Sequence, residues 1–191
     1  MKPSPLHTIA LVLALPALNC SKPSIDPIFE GCATDEHQTT LDDYESTDRV
    51  KTDGKAGPKW LQPAQGSAAL SFPSTVPTMF SWQPTANDPG SSQGNVTCAP
   101  ALLPTRSASS LWPLHEAPVS GVIYDLQFSI GASLTYRVLT THQNATVPAA
   151  VWSGWAGKSV VVDLVSAKLL NNEVAEGPYR PAAMLTFQVK P

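Results

Sequence analysis

Apolar and polar residues alternate most regularly between Val122 and Ile130. Val122, Tyr124, Leu126, Phe128 and Ile130 fall on one face, with Ile123, Asp125, Gln127 and Ser129 on the other. A two-residue period predicts a strand with one buried face, and β-branched and aromatic residues suit that position. Gly131-Ala132 marks a turn, and Leu134–Thr141 predicts the returning strand. Further strands are predicted over Gly66–Phe72, Thr78–Gln83, Lys158–Leu170 and Met184–Val189, with Phe80 and Trp82 sharing one face of the second. Val147–Ala156 carries Pro148 near its start and predicts no more than a short helical turn. Long helical patterns do not alternate with these strands, which argues against a parallel α/β sheet. Six or seven strands in about 120 residues predict an all-β fold, a two-sheet antiparallel sandwich.

Composition supports that picture. The 191 residues include 19 prolines and 11 glycines, too many for a helical bundle. Charged residues make up 14%, against about 25% in an average domain, which excludes a highly charged disordered chain and a coiled coil. No basic patch suggests nucleic acid as a partner. The charge is unevenly divided: residues 20–70 hold 9 acidic and 5 basic side chains, whereas 71–191 hold 6 of each. The acidic run of Asp35, Glu36, Asp42, Asp43, Glu45, Asp48 and Asp53 has few large apolar residues among it. Such a stretch buries too little apolar surface to offset its ordering entropy, so 20–65 is predicted to be a solvated, largely disordered tether. A calcium site is the sharper alternative there, but the alternating acids of an EF-hand loop are missing before Asp53-Gly54. The sandwich domain is then expected over 66–191, with a long 84–118 loop of 35 residues and six prolines. A loop of that length is either functional or an argument against the strand assignment.

The N-terminus reads as an address. Lys2 precedes an apolar run, Thr8–Leu18, of 11 residues. That suits a signal-peptide core and falls well short of the roughly 20 residues of a membrane-spanning helix. Ala17-Leu18-Asn19-Cys20 follows and resembles the lipobox of bacterial lipoproteins, with Ala17 and Asn19 where that family favours Leu and Gly or Ala. The resemblance implies a signal peptide over 1–19, cleavage before Cys20 and acylation of its thiol. It also implies a membrane held through that lipid anchor, and Ser21 after the cysteine implies the outer membrane of a Gram-negative cell envelope.

The strands carry a second resemblance. Phe80-Ser-Trp82-Gln-Pro84, Tyr124-Asp-Leu126, Tyr136-Arg-Val138, Val147-Pro148 with Trp152, and Gly177-Pro178-Tyr179-Arg180 before the last strand are together similar to fibronectin type III domains, a branch of the immunoglobulin-like sandwiches. The similarity covers roughly 66–191 and is one of pattern. It implies Trp82 as a core anchor between the sheets, and it implies no activity, since sandwiches host many functions.

Candidate chemistry lacks its context. Gly90-Ser91-Ser92-Gln93-Gly94 matches a nucleophile elbow, but no strand leads into it and no helix pattern leaves it. Gly157-Lys158-Ser159 has Trp152 where a phosphate loop needs glycine. His37, His115 and His142 are isolated, so neither a metal site nor a cofactor is expected. Asn95-Val-Thr97 and Asn144-Ala-Thr146 are sequons that matter only in a eukaryotic secretory pathway. Trp60, Trp112, Trp152, Trp155 and Tyr179 are predicted to lie in loops or turns. Exposed, such rings stack on sugars or anchor protein contacts; the blander alternative has Trp152 plugging the end of the sandwich and Trp112 packing the long loop.

With Cys20 acylated, Cys32 and Cys98 remain, and an oxidising compartment favours a disulfide between them. The competing reading is a buried free Cys98, with Cys32 exposed or paired between molecules. The leading functional expectation is a non-enzymatic envelope lipoprotein, a binding or spacer module for an envelope protein or glycan. A carbohydrate-binding module using Trp112, Trp152, Trp155 and Tyr179 is the alternative, and a serine hydrolase built on Ser92 is the remote one.

Overall fold

The computed structural model describes residues 25–46, 50–53, 55–64, 69–84 and 120–191. It is mostly β, with two sheets. The strands are β1 (Ile28–Glu30), β2 (Lys51–Thr52), β3 (Lys59–Gln62), β4 (Leu70–Pro73), β5 (Met79–Gln83), β6 (Gly121–Ile130), β7 (Ser133–Thr140), β8 (Asn144–Thr146), β9 (Ser159–Leu170), β10 (Glu173–Arg180) and β11 (Leu185–Lys190). Two helices interrupt them, α1 (Asp35–Ser46) and α2 (Ala149–Ser153). The larger sheet runs β1-β7-β6-β9-β10-β2, with β11 on the first half of β9 and β4 beyond it; the smaller is β3-β5-β8.

The alternating segment 122–130 lies within β6, the spine of the larger sheet. It pairs antiparallel with β7, Leu126 opposite Val138, and with β9, Leu126 opposite Leu164. β9 turns into β10 through Asn171 and Asn172, whose φ angles are 53° and 67°. Two left-handed residues make the turn that matches strand twist, and asparagine tolerates that region better than most residues. The residue pattern predicts a strand ending at Leu170 and Tyr179 in a loop or turn; instead Glu173–Arg180 forms β10.

The sandwich is not purely antiparallel as expected. β1 with β7, β2 with β10 and β4 with β11 are parallel pairs. Each joins segments far apart in sequence, so no tight hairpin dictates their direction.

One core lies between the sheets. Phe80 and Trp82 from the small sheet meet Tyr124, Leu126 and Phe128 from β6 and Val160, Val162 and Phe187 from β9 and β11. Trp82 is 1% exposed, and its ring meets Tyr124 edge-on at 5.3 Å. Tyr136 shares this core and packs on Phe128 and Trp155 rather than directly on Trp82.

The expected tether is the main correction. The described part of 20–65 is built into the domain: β1 and β2 extend the large sheet, β3 belongs to the small one, and α1 covers the large sheet's other face. There Leu41 and Ala33 pack with Ile123, Leu139, Ala167 and Leu169 as a second core. Few apolar residues suffice because strand pairing satisfies the backbone, and one fully buried leucine sits where the sheet already presents apolar side chains. β6 is therefore buried on both faces.

Candidate functional site

Helix α1 begins at Thr34, whose carbonyl accepts the Gln38 N–H at 3.2 Å. Asp35 and Glu36 occupy the first turn, where carboxylates favour the positive end of the helix dipole. His37 takes the place of the acid in a capping box: its Nδ1 accepts the Thr34 N–H at 3.0 Å. The ring is 1% exposed, and its Nε2 donates to Asn172 Oδ1 at 3.1 Å. The cap thus locks α1 to the β9–β10 turn. The Thr40 hydroxyl reaches the same turn, donating to the Asn172 carbonyl at 3.4 Å.

Beneath α1 lies the most polar cluster of the interior. Asp125 on β6 is fully buried, and Arg137 on β7 grips it through Nε at 2.9 and 3.1 Å and through Nη2 at 2.6 Å. Nη2 also donates to Asp42 of α1 at 2.8 Å, and Gln127 Nε2 donates to Asp125 at 2.9 Å. Burial alone would push the Arg137 guanidinium down, but Asp125, and then Asp42, hold it above its ordinary value. The chemistry of this cluster is that of a satisfied ion pair. Both partners are buried and paired, and the arrangement fastens the helix to the sheet.

The loop candidates sit elsewhere. Trp152 of α2 and Trp155 of the turn that follows it enter the core between the sheets. Trp152 is fully buried, stacks on Phe187 at 5.5 Å and donates its indole N–H to the Pro73 carbonyl at 2.9 Å. Trp155 is 4% exposed and stacks on Phe128 at 5.4 Å. Trp60, on β3, is also core and meets Trp82 edge-on at 6.2 Å. Burial of Trp152 and Trp155 matches the blander alternative of rings that plug the sandwich, while Trp60, expected in a loop or turn, lies on a strand. The signal was legible: a spacing of three residues puts two rings on one face of a helical turn. Tyr179 is half-buried on β10, opposite Lys51 of β2.

Cys32 follows β1 and is half-buried, with its N–H donating to Thr141 Oγ1 at 3.1 Å. Cys20, Cys98, Trp112, Ser92 and the greater part of the 84–118 loop lie outside the described residues, so the acylation site and the Cys32–Cys98 pairing do as well. Gly157 turns into β9 with φ of 73°, its N–H held by the Val189 carbonyl at 2.7 Å, which accounts for the Gly-Lys-Ser string as a turn. Among the described residues, no group of three or more His, Cys, Asp or Glu is placed to hold a metal. No described helix is long and apolar enough to cross a membrane.

The described residues define an all-β, two-sheet fold with a buried Asp125–Arg137 pair tied to Asp42 of α1. No family model and no curated protein matches the sequence.

Proposed function

We propose that this chain is a non-enzymatic cell-envelope lipoprotein whose sandwich serves as a binding or spacer module. The observation that carries the reading is the apolar run at 8–18 followed directly by Cys20. In this reading Cys20 bears the lipid, the outer membrane is its location, and an envelope protein or glycan is the partner. The strand order supports a fibronectin type III-like core. β3-β5-β8 faces β7-β6-β9-β11, with Trp82 between them, and β1, α1 and β2 are additions to that core. The carbohydrate-binding alternative loses the support of Trp152 and Trp155, whose faces are occupied by Phe187 and Phe128. Replacing Cys20 with Ser tests the reading: the wild-type chain should partition with membranes and the variant should move to the soluble fraction. Wild-type protein already soluble, with an unmodified Cys20, overturns it.

A further inference from the structure

Described structure begins at Ile25, only five residues after Cys20. Five residues span at most about 17 Å when fully extended. A lipid on Cys20 therefore holds the domain against the bilayer, because the segment expected to act as a spacer is folded into the sheets.

The topology says which end faces the lipid. β1 runs parallel to β7, so the chain enters β1 from the side on which β7 begins, the β6–β7 turn at Gly131-Ala132. Three other segments gather at that end. β4 and β11 finish there together, Pro73 beside Lys190. The turn before β9 is tied to them by the Val189 N–H donating to the Lys158 carbonyl at 3.0 Å, and the Ser74 N–H donates to the Lys190 carbonyl at 3.1 Å.

The stretches 73–78, 129–135, 153–159 and 188–191 that build this end contain Lys158 and Lys190 and no aspartate or glutamate. Val76 stands 61% exposed there. Asp26 offsets part of the lysine charge. The short connector therefore does the holding, and the two lysines with Val76 set the orientation. Glu173 opposes Leu170 at the other end of β9, and α1 packs there against Ile123 and Leu169.

We propose that this end of the sandwich, with Lys158, Lys190 and Val76 at its surface, is a docking face for a phospholipid bilayer. The proposal rests on the reading of Cys20 as acylated. The test is amine labelling of the full chain on vesicles of phosphatidylcholine with phosphatidylglycerol, using a membrane-impermeant reagent and peptide mass spectrometry. Lys158 and Lys190 should react several-fold more slowly than Lys55 and Lys59, and dissolving the vesicles in detergent should abolish the difference. Equal labelling of all four on vesicles, or a chain that does not remain with the vesicles, overturns the proposal. The mass of the peptide containing Cys20, read in the same experiment, reports acylation separately, so failure of the anchor and failure of the docking face are distinguishable.

Discussion

Replacing Arg137 by Met isolates what the buried ion cluster contributes. The substitution keeps an unbranched apolar stem and removes every donor that Arg137 offers to Asp125, at 2.6, 2.9 and 3.1 Å. Asp125 is then a fully buried carboxylate left with the Gln127 amide at 2.9 Å. Breaking a buried pair by removing one partner costs about 3–5 kcal/mol, because the survivor stays desolvated without its counter-charge. That is a large part of the roughly 5–15 kcal/mol that holds a typical domain together. Asp42→Ala is the contrasting case. The Asp42 side chain is 41% exposed, and Arg137 keeps Asp125 when it is gone. A partly solvated ion pair contributes at most about 1 kcal/mol, so that variant should stay near wild type. Arg137→Met combined with Asp125→Leu should recover most of the loss, since apolar replacement of a buried pair is often neutral or stabilising. Urea unfolding followed by far-UV circular dichroism and tryptophan fluorescence gives the three free energies by linear extrapolation. A loss below about 1 kcal/mol for Arg137→Met, or an equal loss for Asp42→Ala, would refute the reasoning, because the pair would then be solvated or the helix contact would dominate.

Three further outcomes are expected. Trp82→Ala should cost about 3–5 kcal/mol in the same unfolding assay, and Trp82→Phe much less, since the indole N–H has no hydrogen-bond partner among the described residues; a cost below about 1 kcal/mol for the alanine variant would mean that Trp82 does not fill the core. The Asp53 carboxylate accepts the Lys55 and Ala56 N–H groups at 2.7 and 3.0 Å, and these bonds hold its pKa below the ordinary value. Its contribution is therefore present above that ordinary value and lost as pH falls through the lowered one; Asp53→Asn should flatten this acid limb, and an unchanged limb would exclude Asp53 as its source. Cys32 and Cys98, with 65 residues between them, should be joined by a disulfide. Chain entropy assigns such a loop roughly 4 kcal/mol, an upper figure where part of the loop stays unconstrained. Maleimide should label neither thiol in the denatured, unreduced lipidated protein, and two labels would exclude the bridge.

The strand spine was legible from residue pattern alone. The two-residue alternation at 122–130 located β6, and its return, the valine-rich 158–170 and the closing strand located β7, β9 and β11 to within about a residue, because a half-buried strand must alternate. Trp82 was legible as core for the same reason. What the pattern did not carry was the second face of β6. Asp125 and Gln127 read as solvent-facing, since polar residues on the off-beat of a strand usually are. They are buried because Arg137 pairs with Asp125 beneath a helix from far upstream, whose Asp42, 95 residues before Arg137, accepts from the same guanidinium. That helix is equally invisible to apolar content: its hold on the sheet is one leucine, a histidine cap and an ion pair. The three-residue pairing of β1 with β7 brings the chain alongside the sheet just before α1. Local sequence therefore determined which segments are strands and which ring anchors the sandwich. Only tertiary structure decided that an acidic segment would be a covering layer, because its stability comes from partners supplied by the sheet and not from its own composition.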